Sequence, residues 1–331
     1  MAPSHGNRSF ADRLAPLLLD GTDTLLHDLL RRQVLFFGGK GGVGKTTCAG
    51  ATALAASRAG RRVLLASIDP AHSTSDIFGC AFSSTPQRIL PSLFGLEIDP
   101  AAEAQRYIAD VKRRAAALFR GPASARALEQ IDVAASMPGI EDAALFDRVA
   151  ELVATPSTTY DLLVVDTAPT GHVLQLLRTP LAISGWLRAL ATTRRQMLPE
   201  DRIETDEILA TLESRIDRLQ VVRARLTSAN VTAFVLVLTP ERLPIDETVR
   251  AAAHLGEIGV KVGAVVINRV LPDDATGEFV EARRRQQRVY LQEIDRHFTA
   301  EGLVRVTERR ADIHGIADLE AIAAMLFPLR P

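Results

Sequence analysis

The chain has 331 residues, 47% hydrophobic and 24% charged, with 39 Lys plus Arg against 40 Asp plus Glu and a formal net charge of −1. That length and apolar content supply a packed core for one large domain or two ordinary ones, which excludes a disordered chain. The charge balance excludes a dominant field for nucleic acid, so no nucleic-acid partner is expected. Only Cys48 and Cys80 occur, too few for a disulfide framework or a four-thiolate zinc site within one chain. No apolar run approaches the ~18 residues of a bilayer span, and the start carries acids early where a cleavable signal has none. A cytoplasmic protein, at most peripheral at a membrane, is expected.

In chain order, residues 1–32 read as a polar start followed by Leu25, Leu26, Leu29 and Leu30 at helical spacing, a helical N-terminal extension. The run 33–39 is a buried strand entering glycines, and the alanine-rich segment 45–59 is a helix closed by Gly60. A second buried strand spans 63–68. Helical patterning follows over 101–157, broken at Gly121-Pro122, and then a strand at 161–165 ends on Asp166. A further helical block fills 181–228. Strands at 231–238 and 262–268 flank a helix at 245–257, and the chain closes with a helix (277–300), a short strand (303–306) and a last helix (316–327). Buried strands without strict alternation, separated by helices, predict an α/β fold with a doubly wound, mostly parallel sheet. Residues 33–331 are read as one such domain, with the blocks 101–157 and 181–228 forming an inserted helical subdomain.

Lysine is scarce: Lys40, Lys45, Lys112 and Lys261 stand against 35 arginines. Two of the four lie in the segment Gly39, Lys40, Gly41, Gly42, Val43, Gly44, Lys45, Thr46, a full Walker A pattern between a predicted strand and a predicted helix. Glycines let successive backbone N–H groups turn onto phosphate oxygens, and the helix N-terminus adds its dipole. Lys45 is placed at the β- and γ-phosphates and the Thr46 hydroxyl on Mg²⁺, with Thr47 next in the helix. Lys40 is an extra cation early in the loop, suited to neutralise transition-state charge as an arginine finger does. From that position it serves a nucleotide across a homodimer better than its own.

Two acids follow strands: Asp69 in Asp69-Pro70-Ala71-His72, and Asp166 in Asp166-Thr167-Ala168-Pro169-Thr170-Gly171-His172. Carboxylates at the carboxyl ends of parallel strands face the ligand crevice. Asp166 is assigned to the metal side and Asp69 to the attacking water, although an Asp after a strand also caps helices. His72 and His172 read equally as site groups or as hydrogen-bonded structural histidines.

The segments 38–47, 69–76 and 166–172 together resemble the ArsA-type ATPases, a deviant-Walker-A family within the group that also holds MinD and ParA. Likeness continues through residues 136–142, Glu241 and its neighbours, and Ile267-Asn268-Arg269. The resemblance implies an ATP hydrolase using Mg²⁺ with ATP, closing as a homodimer on nucleotide and reopening on hydrolysis. By the same resemblance Lys40 crosses the interface, Asp69 orients water, Asp166 is linked to Mg²⁺, Asn268 reads adenine, and Glu241 stands near the nucleotide. Its members imply a membrane transporter partner for an arsenite-like anion, or a membrane-protein client for targeting; a MinD-like positioning switch is the alternative.

Three departures narrow these expectations. No cysteine lies between Asn268 and the arginines 283–288, so no zinc clasp is expected. With two cysteines, both read as buried and apolar, a three-thiol arsenite site is not expected either. Only Met137 and Met197 fall in the helical subdomain, which weakens a methionine-lined client groove. The stretch 181–198, with Leu181, Trp186, Leu187 and Leu190 on one face, reads as core or dimer packing, and the arginine cluster as a solvated helix face.

Overall fold

Short runs of uninterrupted apolar residues become strands covered on both faces, because a strand apolar at every position must bury both sides. The computed structural model describes residues 25–69, 73–118, 128–129, 131–133, 139–155, 158–167, 185 and 187–328. Its strands are β1 (Val34–Gly38), β2 (Val63–Ser67), β3 (Gln87–Leu90), β4 (Leu93–Glu97), β5 (Leu162–Asp166), β6 (Thr232–Leu238), β7 (Val262–Val270) and β8 (Gly302–Thr307). They form one sheet in the order β3-β4-β2-β5-β1-β6-β7-β8. Every neighbouring pair is parallel except β3 with β4.

Helices among the described residues are α1 (Leu25–Leu29), α2 (Lys45–Arg58), α3 (Ser73–Phe78), α4 (Pro100–Leu118), α5 (Ile140–Ala154), α6 (Glu207–Thr227), α7 (Arg242–Glu257), α8 (Glu278–His297) and α9 (Gly315–Leu326). None is long and apolar enough to cross a membrane. Residues 187–197 are also helical. Leu187 and Ala191 there are buried while Leu190 is exposed; Leu181 and Trp186 lie outside the described residues, as does Met137.

Two compact units divide the chain. One comprises Met1–Glu97, Pro156–Val173 and Thr227–Pro331 and holds the sheet; the other comprises Ile98–Thr155 and Leu174–Leu226. In the sheet unit, α2 is buried almost all round, and its alanines Ala49, Ala51, Ala53, Ala55 and Ala56 let it lie close against the strands and α9. Leu35, Leu65, Leu319 and Ala323 close that layer with no exposed surface; each leucine contributes about 1.5–3 kcal/mol by leaving water. On the other face Phe36 stacks on Phe234 at 5.3 Å. Leu29 and Leu30 are buried on the same body. The Arg61 guanidinium ties them down by donating to the Leu30, Arg32 and Asp161 carbonyls.

In the helical unit α4 and α5 pack together. Glu103, buried, accepts from Arg106 at 2.7 Å and faces Arg148 at 3.8 Å. Asp206 caps α6 through the Leu209 N–H at 2.8 Å and pairs with Arg194 at 2.7 Å.

The parallel strands and most sheet-unit helices fall where the hydrophobic runs predict. Three elements in 69–97 were not anticipated: α3 and the β3–β4 hairpin. Pro86, Pro91 and Gly95 make that segment look like a loop. Its strands are four and five residues long, and β3 is a half-exposed edge. Edge strands carry a weak apolar signal by nature.

Candidate functional site

Strand register brings the site together. Phe37, the residue before Gly38 and the glycine loop, pairs with Asp166, and Asp166 pairs with Ser67, two residues before Asp69. Gly38 pairs with Leu236, and Leu238 with Ile267, so Thr239 and Asn268 end level with the loop. The carboxyl ends of β2, β5, β1, β6 and β7 therefore form one edge. Central β1 sits where the winding turns from one side of the sheet to the other, the place where doubly wound sheets bind ligands.

Two glycines in the loop are required by what lies against them. Gly39 has φ +154°, and a Cβ there would run into the Val237 carbonyl oxygen. Gly44 has φ +94°, and the space of its missing Cβ is filled by the Asn268 side-chain amide. Asn268 Nδ2 donates to the Val43 carbonyl at 2.8 Å, so this asparagine braces the loop. Val43 is buried, whereas Gly41 and Gly42 are exposed. Gly44 caps α2 with no side-chain hydrogen bond to its first turn. The leading N–H groups of α2, Thr46 and Thr47 among them, therefore point toward the loop as an anion seat.

Lys45 is 5% exposed and its Nζ donates to the Lys40 carbonyl at 3.2 Å, closing the loop on itself. Lys40 is half-buried and its Nζ lies 3.5 Å from Glu247 Oε1 on α7, a partner that sequence patterning does not reveal. Asp166 is fully buried, and among the described residues neither of its oxygens has a hydrogen-bond partner of normal geometry. Burial pushes its carboxyl up to about 7, while the nearby Thr46 hydroxyl and Lys45 ammonium pull it down and Asp69 and Glu97 push it further up. A buried, orphaned carboxylate beside a threonine hydroxyl is a hard-oxygen donor set, which fits Mg²⁺ completed by water and phosphate oxygens.

Asp69 follows β2 half-buried, its N–H 3.4 Å from Ser67 Oγ. Beyond it the Ser75 N–H and hydroxyl of α3 donate to the two oxygens of Glu97 at 2.9 and 2.8 Å. Glu97, buried at the end of β4, is a site-edge acid that patterning missed because β4 itself was missed. Residues 70–72 and 168–184 lie outside the described residues, so His72 and His172 do too. Glu241 is the N-cap residue of α7, exposed, 3.5 Å from Arg283. A cavity of ≈ 350 Å³ opens beside the loop, lined by Lys40, Gly41, Thr239, Glu241, Pro244 and Arg269 among others.

The cysteines divide. Cys48 is fully buried in α2, and burial, then the Asp166 charge, push its thiol up to about 12. Cys80 is exposed, which corrects the expectation that both are buried: it follows the short α3 at the rim of the sheet and not its interior. Of the arginine cluster, Arg284 alone is half-buried, donating to the Pro272 and Ala275 carbonyls at 2.7 and 2.6 Å.

A glycine loop between the central strand and its helix, with strand-end acids beside it, makes this a P-loop nucleoside triphosphatase. The sequence model of the anion-transporting ATPases (ArsA ATPases) matches residues 32–328, and the chain belongs to that family. It is an ATP hydrolase. A putative arsenical pump-driving ATPase 2 of Aquifex aeolicus is 34% identical over 299 residues, 89% of this chain and 99% of that protein. The ATPase GET3 of Paracoccidioides lutzii is 32% identical over 327 residues, 93% of this chain and 94% of that protein. GET3 of Paracoccidioides brasiliensis shows the same identity and coverage.

Proposed function

We propose that the chain is a Mg²⁺-dependent ATPase that closes as a homodimer on ATP and reopens on hydrolysis. The observation that carries this reading is Asp166, a buried carboxylate beside the Thr46 hydroxyl and the Lys45 ammonium whose oxygens have no hydrogen-bond partner of normal geometry among the described residues. Such a group destabilises the free protein unless a cation is to complete it.

Thr46 and Asp166 would hold Mg²⁺, which when bound neutralises charge on the phosphoryl group. The loop N–H groups from Gly41 to Thr46 cradle the phosphates, and Lys45 exchanges the Lys40 carbonyl for the β- and γ-phosphates. Asp69 orients the attacking water, leaving positioning and charge stabilisation as the work of the site. Asn268 and Glu241 stand at the nucleoside end. Asn268 keeps Oδ1 as an acceptor for an adenine amine, since its Nδ2 is committed to Val43. Lys40 leaves Glu247 and acts on the nucleotide of the partner subunit. Closure is delivered to a membrane partner, either an anion transporter or a membrane-protein client. One relative's name carries the pump-driving use, the client use follows from the family resemblance, and the buried, high-pKa Cys48 argues against thiolate capture of arsenite in this chain.

ATP turnover and molecular mass, measured side by side with and without Mg²⁺-ATP, test the reading in wild type and Lys40→Ala. The wild type should turn over as a dimer, while Lys40→Ala should bind ATP and lose at least about a hundredfold in kcat, a modest loss for a removed cationic finger. An active monomer, or normal turnover by Lys40→Ala, would leave a P-loop ATPase without the cross-subunit mechanism.

A further inference from the structure

Arg269, the penultimate residue of β7, follows Asn268 and is the one non-glycine residue with positive φ among the described residues, at 56°. A left-handed backbone is unfavourable for a long side chain and persists only where neighbours enforce it. Gln287 of α8, itself only 8% exposed, is that neighbour. Its Nε2 donates to the Arg269 carbonyl at 3.1 Å, and its Oε1 accepts the Leu271 N–H at 3.0 Å. One buried amide thus grips the chain on both sides of Val270, where the β7–β8 register also shifts. Arg269 lines the cavity beside the P-loop, is exposed, and has no ion-pair partner among the described residues.

We propose that Arg269 contacts the nucleoside end of bound ATP, and that Gln287 is the positioning residue that holds it there. This rests on ATP binding at the P-loop. The phosphates already have Lys45, the loop N–H groups and the start of α2. A planar guanidinium in the same cavity wall as Pro244, one residue along the chain from Asn268, suits the flat face of a purine. Stacking is tolerant of base identity, so Arg269 adds affinity, and discrimination stays with Asn268.

The test compares wild type, Arg269→Asn, Gln287→Met and the double variant by ATP KM and kcat, ADP and GTP dissociation constants, and thermal melting. Asparagine tolerates left-handed φ, so Arg269→Asn keeps the backbone while a short neutral amide replaces the guanidinium and its stem. It should raise the ATP KM and the ADP Kd about tenfold, weaken GTP to the same degree, and leave kcat within about twofold without lowering the melting temperature. Gln287→Met should raise KM about threefold and add nothing in the Arg269→Asn background, even where it lowers the melting temperature. Arg269→Asn binding like wild type, or Gln287→Met weakening binding equally in both backgrounds, would overturn the assignment. A wild-type chain that binds no ATP overturns this inference and the ATPase mechanism together.

Discussion

Replacing Asp166 by Asn keeps the shape of the side chain and removes a buried charge, so the nucleotide-free protein should gain stability at alkaline pH while losing ATP turnover. The carboxyl sits at about 7 in the folded chain against an ordinary 3.8. Between those values the folded protein holds a proton that the unfolded chain has released. Stability from this group therefore falls as pH rises through the window from about 4 to 7 and stays low above it. Three pK units at 1.36 kcal/mol each set a ceiling of about 4 kcal/mol. A buried asparagine amide without partners costs about 1–3 kcal/mol in its turn, leaving a net gain of roughly 1–3 kcal/mol at pH 8 and almost none at pH 5. Urea unfolding followed by circular dichroism, in EDTA and without nucleotide, measures both proteins at the two pH values. If Asp166→Asn is less stable than wild type at pH 8, the carboxylate is satisfied in the free protein. The argument that it awaits a cation then collapses.

Two further perturbations probe the loop and its first switch. Gly44→Ala puts a Cβ into the space of the Asn268 amide at φ +94°; it should break the Nδ2–Val43 bond, cost about 1–3 kcal/mol and abolish detectable ATP binding by calorimetry. Retained affinity would show that the Asn268 brace is dispensable. Ser75→Ala removes the hydroxyl donor from buried Glu97, at about 1.5–3 kcal/mol for a bond to a charged group. Amide exchange across α3 should speed up accordingly, and unchanged protection would mean that the helix is held elsewhere.

The central sheet and the phosphate loop were legible because each rests on local signals: uninterrupted apolar runs for β1, β2, β5, β6 and β7, and glycine spacing for the loop. Asp69 and Asp166 could be placed because strand ends share one edge in a parallel sheet. What patterning missed depends on tertiary context. Glu97 sits on a short strand flanked by prolines, and its value lies in two hydrogen bonds from Ser75 that no spacing rule encodes. Glu247 reaches Lys40 only because α7 packs beside the loop. The grip of Gln287 on Arg269 joins residues 18 apart through a backbone conformation invisible in composition. Asn268 was expected as an adenine reader from family resemblance; its bond to the loop came from the structure alone. Cys80 was misread because cysteine usually favours interiors, whereas its neighbours place it on a rim.

The action of Lys40 across the interface is the central mechanistic claim, and complementation tests it most directly. Lys40→Ala retains Asp69 but lacks the donated lysine, while Asp69→Asn retains the lysine but cannot orient water. Mixed in equal amounts and allowed to exchange with Mg²⁺-ATP, the two inactive chains should regain about a quarter of the wild-type rate, since half of random dimers are mixed and each has one complete site. A mixture no faster than its two parents would show that Lys40 serves its own subunit.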